Sequence, residues 1–123
     1  MVAELKKPRF DLAKAQKAEL MISRSCRAGA CALLPSDDPV AAEAHIRKLF
    51  LSLEPTDFAH QQPMAQRAGK PRYGDVYGKR DSYGDWFIKF ELVGDVTVLF
   101  MSCHEVENTL VLVDGRTLRK KKR

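Results

Sequence analysis

Between residues 39 and 53, apolar side chains recur at Ala42, Ile46, Leu49, Phe50 and Leu53, the three- and four-residue spacing of one helical face. The ends agree with that reading. Asp38 stands at the cap, Pro39 at the first helical position, and Pro55 closes the run. Upstream, Ser23 is placed to cap a second helix, "SRSCRAGACALL", with Cys26, Ala30, Leu33 and Leu34 on one side. Asp11 is placed to cap a first helix, "DLAKAQKAEL", with Leu12 and Ala15 on its buried edge and Glu19 or Leu20 near its end.

Beyond residue 84 the period changes from three-to-four to two. Trp86 to Val93 and Val96 to Cys103 are rich in β-branched and aromatic residues and flank Gly94-Asp95, which reads as a two-residue hairpin turn. Such a turn pairs Val93 with Val96, and so Phe90 with Leu99, Ile88 with Met101 and Trp86 with Cys103. Paired residues share a face. One face is then Trp86, Ile88, Phe90, Leu92, Thr97, Leu99, Met101 and Cys103, a core surface. The other holds Phe87, Lys89, Glu91, Val98, Phe100, Ser102 and His104. That second face is too apolar for bare solvent and too charged for a core, which marks it as a candidate site. A slip of one residue exchanges the two faces.

Residues 56–84 lack clear periodicity. They interleave Arg67, Lys70, Arg72, Lys79 and Arg80 with Tyr73, Tyr77 and Tyr83, and "YGDVY" has the composition of a short strand. Two readings stand: a polar connector, or a loop presenting cations and aromatic planes to single-stranded nucleic acid. After His104, "NTLVLVDGRTL" predicts a further strand ending in an Asp-Gly turn. Helices first and strands later predict an α+β fold, an antiparallel sheet with N-terminal helices packed on one face. No internal repeat is visible, and residues 1–118 are expected to form a single domain followed by a basic tail, 119–123.

Charge refines this picture. The formal net charge is +5, but the 21 basic residues less the five of the terminal "RKKKR" equal the 16 acidic ones. The excess therefore belongs to the tail, which is either a solvated terminus or a contact for phosphate backbones. No apolar run is long enough for a membrane span, and no apolar segment follows the first lysines as a secretory signal requires. Three cysteines suit a reducing compartment, with cytoplasm the expectation. Cys26 and Cys31 read as core-edge residues; a zinc site would need two more ligands at suitable spacing. His45 lies at the margin of its helix stripe and reads as a boundary residue.

Several separated segments, "KPRFDLAKAQKAEL", "ISRSCRAGA", "LSLEPTDFAHQQPM", "DVYG" and "WFIKFEL", resemble in order the MqsR (motility quorum-sensing regulator) family of mRNA interferase toxins. The resemblance covers most of residues 7–105 and implies a RelE-like or MqsR-like ribonuclease toxin architecture. It also implies the toxin component of a type II toxin–antitoxin system: an endoribonuclease that cleaves mRNA without a metal or cofactor and is neutralised by a cognate antitoxin protein. Where that family has a lysine after the Asp-Phe pair, this chain has His60. Where it has a glutamine before "DVY" and a tyrosine two residues before a strand lysine, this chain has Gly74, and Phe87 before Lys89. The family's second lysine, at the end of the last strand, falls on His104 or Ser102.

Cleavage of single-stranded RNA without a metal needs a base for the 2′-hydroxyl, an acid for the leaving 5′-oxygen, fixed positive charge, and a surface that holds the bases. Histidine suits the first two roles because its ordinary pKa lies near working pH. The expectation is therefore that His60 and His104 share acid–base work, while Lys89 with Arg80 or Arg72 stabilises the phosphorane. Tyr73, Tyr77 and Phe87 would stack bases or pack the floor, with Ser102 and Lys79 as further substrate contacts. With two family groups replaced, a non-catalytic RNA-binding or protein-interaction module of the same fold is the alternative.

Overall fold

A computed structural model describes the backbone of residues 6–67 and 70–121, and the side chains of these except 64–67, 70, 71 and 101. The caps read from sequence are in place. Asp11 accepts a hydrogen bond from the Lys14 N–H at 3.1 Å at the start of α1 (Leu12–Lys17). Ser23 accepts from Cys26 N–H at 3.2 Å and opens α2 (Arg24–Leu33). Asp38 accepts from Val40 N–H at 2.9 Å and opens α3 (Pro39–Ser52), whose Ala42, Ile46, Leu49 and Phe50 are buried. The Gln16 amide donates to the carbonyls of Phe50 and Leu53 at 3.0 and 2.9 Å, so α1 satisfies the otherwise orphaned end of α3.

The first helix stops earlier than its sequence suggests. Residues Glu19–Ile22 form β1, because Glu19 N–H donates to Val96 C=O at 3.0 Å and the four residues pair in parallel with Thr97–Phe100. Tertiary pairing here overrides local helix propensity. The main sheet has the order β1-β5-β4-β3-β2, with β2 (Phe58–Arg67), β3 (Lys70–Arg80), β4 (Asp85–Val93) and β5 (Thr97–Glu105). All neighbours are antiparallel except β1 and β5, so the sheet is mixed and not purely antiparallel. The chain is α+β, with the N-terminal helices packed on one face of this sheet. No helix among the described residues is long and apolar enough to cross a membrane.

Most of the segment from Thr56 to Gly84, which lacks periodicity in sequence, is the long β2–β3 hairpin. Two things hide it. Pro63 interrupts the pattern, which an edge strand such as β2 tolerates. Also, one position on its helix-facing side is a carboxylate: Asp75 is fully buried and accepts from the backbone N–H groups of Arg9 and Phe10, each at 2.9 Å. Burial pushes this carboxyl above the usual range despite those two donors. Asp75 thereby docks the N-terminal segment onto the sheet.

The β4–β5 hairpin departs from the expected register twice. At the turn, Gly94 and Asp95 both have positive φ, but the ladder starts at Val93↔Thr97, because the Val96 carbonyl is engaged by β1. This one-residue slip turns Val98 and Phe100 to the helix side, where they are buried, and removes Thr97 and Leu99 from it. Farther along, Phe90↔Phe100 is followed by Lys89↔Ser102, a bulge that leaves one residue of β5 unpaired. The second shift restores the expected faces for the far end. Cys103 is buried opposite Ile88, while Ser102 and His104 share the other face with Lys89 and Phe87.

That other face is not wholly open. The predicted last strand is a small hairpin, β6 (Leu110–Val111) and β7 (Thr117–Leu118), with Gly115 at its turn. Its Leu110, Leu112 and Leu118 form a second core with Val106, Ala59 and Val76, against which Phe87 packs. Gly78 makes the seat: a Cβ there would lie 2.5 Å from Leu118 Cδ1, 2.9 Å from Leu110 Cδ2 and 3.0 Å from Leu112 Cδ2. Buried Asp57 fastens the hairpin, accepting from Arg116 at 2.7 Å, Lys79 at 3.1 Å and Glu54 N–H at 2.8 Å. Burial acts to raise this carboxyl, but the donors outweigh it and hold it below the ordinary range. Gly78→Ala is expected to destabilise the protein by about 1–3 kcal/mol in urea denaturation, because three leucines must move together. An unchanged unfolding midpoint would mean that the small hairpin does not depend on this seat.

Candidate functional site

Period-two alternation and the observed registers set four residues in a row across the sheet: His60 on β2, Val76 on β3, Lys89 on β4 and Ser102 on β5. One step along, Gly78, Phe87 and His104 form the next row on the same face. A cleft of about 350 Å³ lies between this face and the chain leading into β6; its lining includes His60, Gln62, Phe87, Ser102, His104 and Asn108. His60 and His104 are three strand intervals and one two-residue step apart, roughly 16 Å between backbones, and face one cavity from its two sides.

His60 is half-buried. Burial first, and then the nearby Lys89 charge, hold its pKa below the ordinary value of about 6.5, so its ring is neutral at pH 7. Lys89 is likewise half-buried, and burial lowers its own pKa. Among the described residues it has no ion-pair partner. A cation without an ion-pair partner among the described residues thus stands near His60 on the same sheet face, beside the cleft and not among its lining residues.

Backbone and packing fix His104. Its Nδ1 donates to the Glu105 carbonyl at 2.6 Å, which sets that nitrogen as the protonated one and leaves Nε2 for chemistry. Phe87 stacks on the ring with centroids 5.1 Å apart and planes 8° from parallel. Behind it α2 approaches closely; a Cβ on Gly29 would lie 2.7 Å from the Cys103 carbonyl and 3.1 Å from His104 Cβ. Since Phe87 packs on His104 and on the second core, it serves as floor, not as a free platform for bases. Arg72 projects from β3 on the cleft's face and forms an ion pair with Glu91, its Nε 3.3 Å from Glu91 Oε2. This pair neutralises a cation next to the cleft.

Four residues expected in the site lie elsewhere. Tyr77 is fully buried on the helix side, with Phe58 at 5.4 Å and Phe90 at 5.7 Å, and burial pushes its phenol well above the usual range. Tyr73 also belongs to the helix-side register of β3, where Arg9 lies 5.1 Å above its ring. Lys79 bonds Asp57 and the Ser52 carbonyl on that same side. Arg80 shares the cleft's face but is four residues from Val76, about 13 Å along the strand. It is held by Asp85 at 2.7 and 2.9 Å and by the Thr117 carbonyl at 3.4 Å, with β7 beside it. For Tyr77, Tyr73 and Lys79 the physical reason is the same: a strand sends alternate residues to opposite faces, and a segment read as a loop hides that parity. Arg80 has the right parity and is removed by its distance along β3 and by Asp85.

The cleft also contains residues that sequence reasoning missed. Gln62 lies two residues from His60 and opposite Gly74, so its amide shares the face. Glu107, Asn108 and Thr109 form the opposing wall. Only recognition of β2 as a strand could have found Gln62. His45, expected at a boundary, sits on the far side of the molecule with Nε2 2.8 Å from Asp81 and its ring 5.3 Å from those of Tyr83 and Trp86. Cys26 and Cys103 are buried and Cys31 is half-buried, all as free thiols. Among the described residues no three His, Cys, Asp or Glu side chains gather in a metal-holding group.

No family model matches the sequence, and no curated protein matches it.

If Lys89 depresses the titration of His60, Lys89→Met should raise the His60 midpoint in a histidine-resolved NMR pH titration, since removing a nearby cation favours the imidazolium. A midpoint that stays where it was would separate the two residues electrostatically.

Proposed function

We propose that this chain is a metal-independent endoribonuclease of the MqsR-like, RelE-like toxin type, acting on single-stranded RNA. In that role it would be the toxin of a toxin–antitoxin pair and would be restrained by a cognate antitoxin protein. The observation that carries the reading is the shared cleft: two histidines face one cavity, and an unpaired lysine stands in the same cross-strand row as one of them. The sequence resemblance supports it independently: the segments that carry it contain His60 and Lys89, and the family's last-strand lysine falls on His104 or Ser102.

In this mechanism His60, held neutral by burial and by Lys89, takes the proton of the 2′-hydroxyl. The 2′-oxygen then attacks phosphorus, and the bond to the 5′-oxygen breaks. His104, entering this step as the imidazolium with its Nδ1–H donated to the Glu105 carbonyl, gives its Nε2 proton to that leaving oxygen and is left as the neutral ring. The products are a 2′,3′-cyclic phosphate and a 5′-hydroxyl. Charge that develops on the equatorial oxygens is met by Lys89, and by Arg72 when a phosphate draws it from Glu91. Ser102 and Gln62 have the hydrogen-bonding groups to fix the ribose and base, while Phe87 holds His104 in place.

Purified protein incubated with single-stranded RNA in EDTA should yield cyclic phosphate ends. His60→Ala and His104→Ala should each slow cleavage by about 10²-fold or more. Lys89→Met should also move the acid limb of the rate profile to higher pH, since the base it faces becomes easier to protonate. Retention of full activity in either histidine variant removes that residue from the mechanism. A gel shift without any cleavage would instead support the non-catalytic RNA-binding module.

A further inference from the structure

The basic tail follows β7, and the structure describes it as far as Lys121. Leu118 is buried in the second core, and the next residues are gripped by their main chain. Arg119 N–H donates to Asp85 at 2.9 Å, and Lys121 N–H donates to Glu105 at 3.0 Å. These two carboxylates hold the backbone of the tail and leave its cationic side chains out. Arg119, Lys120 and Lys121 are all exposed, and none forms an ion pair among the described residues. A solvated, frayed terminus has no reason to be fastened this way.

The place where the tail is fastened matters. A second cleft, about 280 Å³, is lined by Gly29, Leu33, Glu105 and Lys120, and shares His104 and Glu107 with the candidate site. Beyond it, across Ala32, lies a broader depression of about 670 Å³ edged by Arg24 and Arg27 of α2. The three hollows adjoin in sequence, the first two sharing His104 and Glu107 and the last two sharing Ala32, and together they trace a trough from His60 past His104 and Lys120 to α2. Three acids border it, Glu105, Glu107 and Asp37, against Lys120, Arg24 and Arg27 on its walls and Arg119 and Lys121 beside it on the tail; Glu105 is engaged by the Lys121 N–H. One of the Arg27 donors is occupied by the Ile22 carbonyl at 2.9 Å.

We infer that this trough is the exit path of the RNA strand: nucleotides on one side of the scissile phosphate run past His104, and their phosphates are held by Lys120, its neighbours in the tail, and Arg24. The inference rests on the reading of the histidine cleft as the cleavage centre. It adds an extended binding track that makes substrate length, as well as sequence, a determinant of affinity. Single-stranded nucleic acid is favoured over an acidic protein because the second cleft shares His104 and Glu107 with the candidate site, so a strand that fills the one is led directly into the other.

The test uses the full chain and single strands made wholly of 2′-deoxynucleotides, which bind without being cut. A trinucleotide fills the cleft alone, whereas a dodecamer also spans the trough. Replacing Arg119, Lys120 and Lys121 together with glutamine keeps the backbone donors and Leu118 in place. This variant should bind the dodecamer about tenfold more weakly at moderate salt, and its salt slope should fall by about 2, at roughly 0.7 per phosphate contact. Trinucleotide binding should be unchanged. Arg24→Gln, which leaves the tail intact, should weaken the dodecamer alone. Equal loss for both lengths, an unaltered salt slope, or failure of the parent to bind the dodecamer would each overturn the track. Because binding here needs no chemistry, a length-dependent loss seen in a protein that never cleaves RNA would refute the ribonuclease reading and leave the track standing.

Discussion

The candidate site depends on a single extra residue in β5. A strand alternates its faces with period two, so the side on which a residue emerges is a matter of parity. The turn after Val93 sets that parity so that Val98 and Phe100 fill the core beneath α3, where Phe50 meets Phe100 at 4.9 Å and Phe90 at 5.0 Å. Continued unbroken, the same parity would send Ser102 and His104 into the helix-side core and Cys103 to the open face. The bulge between Phe100 and Ser102 reverses it. Apolar packing at one end of the strand and polar chemistry at the other are compatible only because of that irregularity.

Buried carboxylates supply the second organising element. Among the described residues Asp57, Asp75 and Asp85 are the buried charged ones, and each ties a separate segment to the sheet. Asp75 holds the N-terminal segment through two backbone donors, Asp57 holds the C-terminal hairpin through Arg116, and Asp85 holds Arg80 and the start of the tail. A buried carboxylate left without donors is costly, so each segment is confined to the position that satisfies its anchor. The lysines and arginines recruited this way are spoken for structurally. This is why Lys79 and Arg80 are anchoring residues, while Lys89, which has no ion-pair partner among the described residues, keeps its charge near His60.

How much of this was legible in the sequence follows from what each signal measures. The helices α2 and α3 were readable to their caps, because Ser23, Asp38 and Pro39 are local chemistry that tertiary contacts did not contradict. The short β1 was not, because only its parallel partner makes it a strand. The β2–β3 hairpin is not visible in the sequence because its inward positions include Asp75, and its outward positions include Gly74 and Gly78, the latter covered by the leucines of the small hairpin. Among the site residues, Phe87, Lys89, Ser102 and His104 were placed on the correct face through two register errors that cancelled. His60 joins them through the β2–β3 pairing, which periodicity alone does not reveal. Tyr73 and Tyr77 show the reverse case, aromatic residues whose composition suggested a surface and whose parity sends them to the helix side.

The seat at Gly78 has a further implication for how the cleft is held together. The floor of the cleft belongs to the large sheet, but its opposite wall belongs to a two-strand unit resting on a small leucine cluster and one carboxylate. Two parts built on different cores do not share one stability; the smaller can loosen while the larger stays folded. The width of the opening is thus set by a part of the molecule whose loss would leave both imidazoles on their strands, so catalytic groups and aperture can vary independently under mutation.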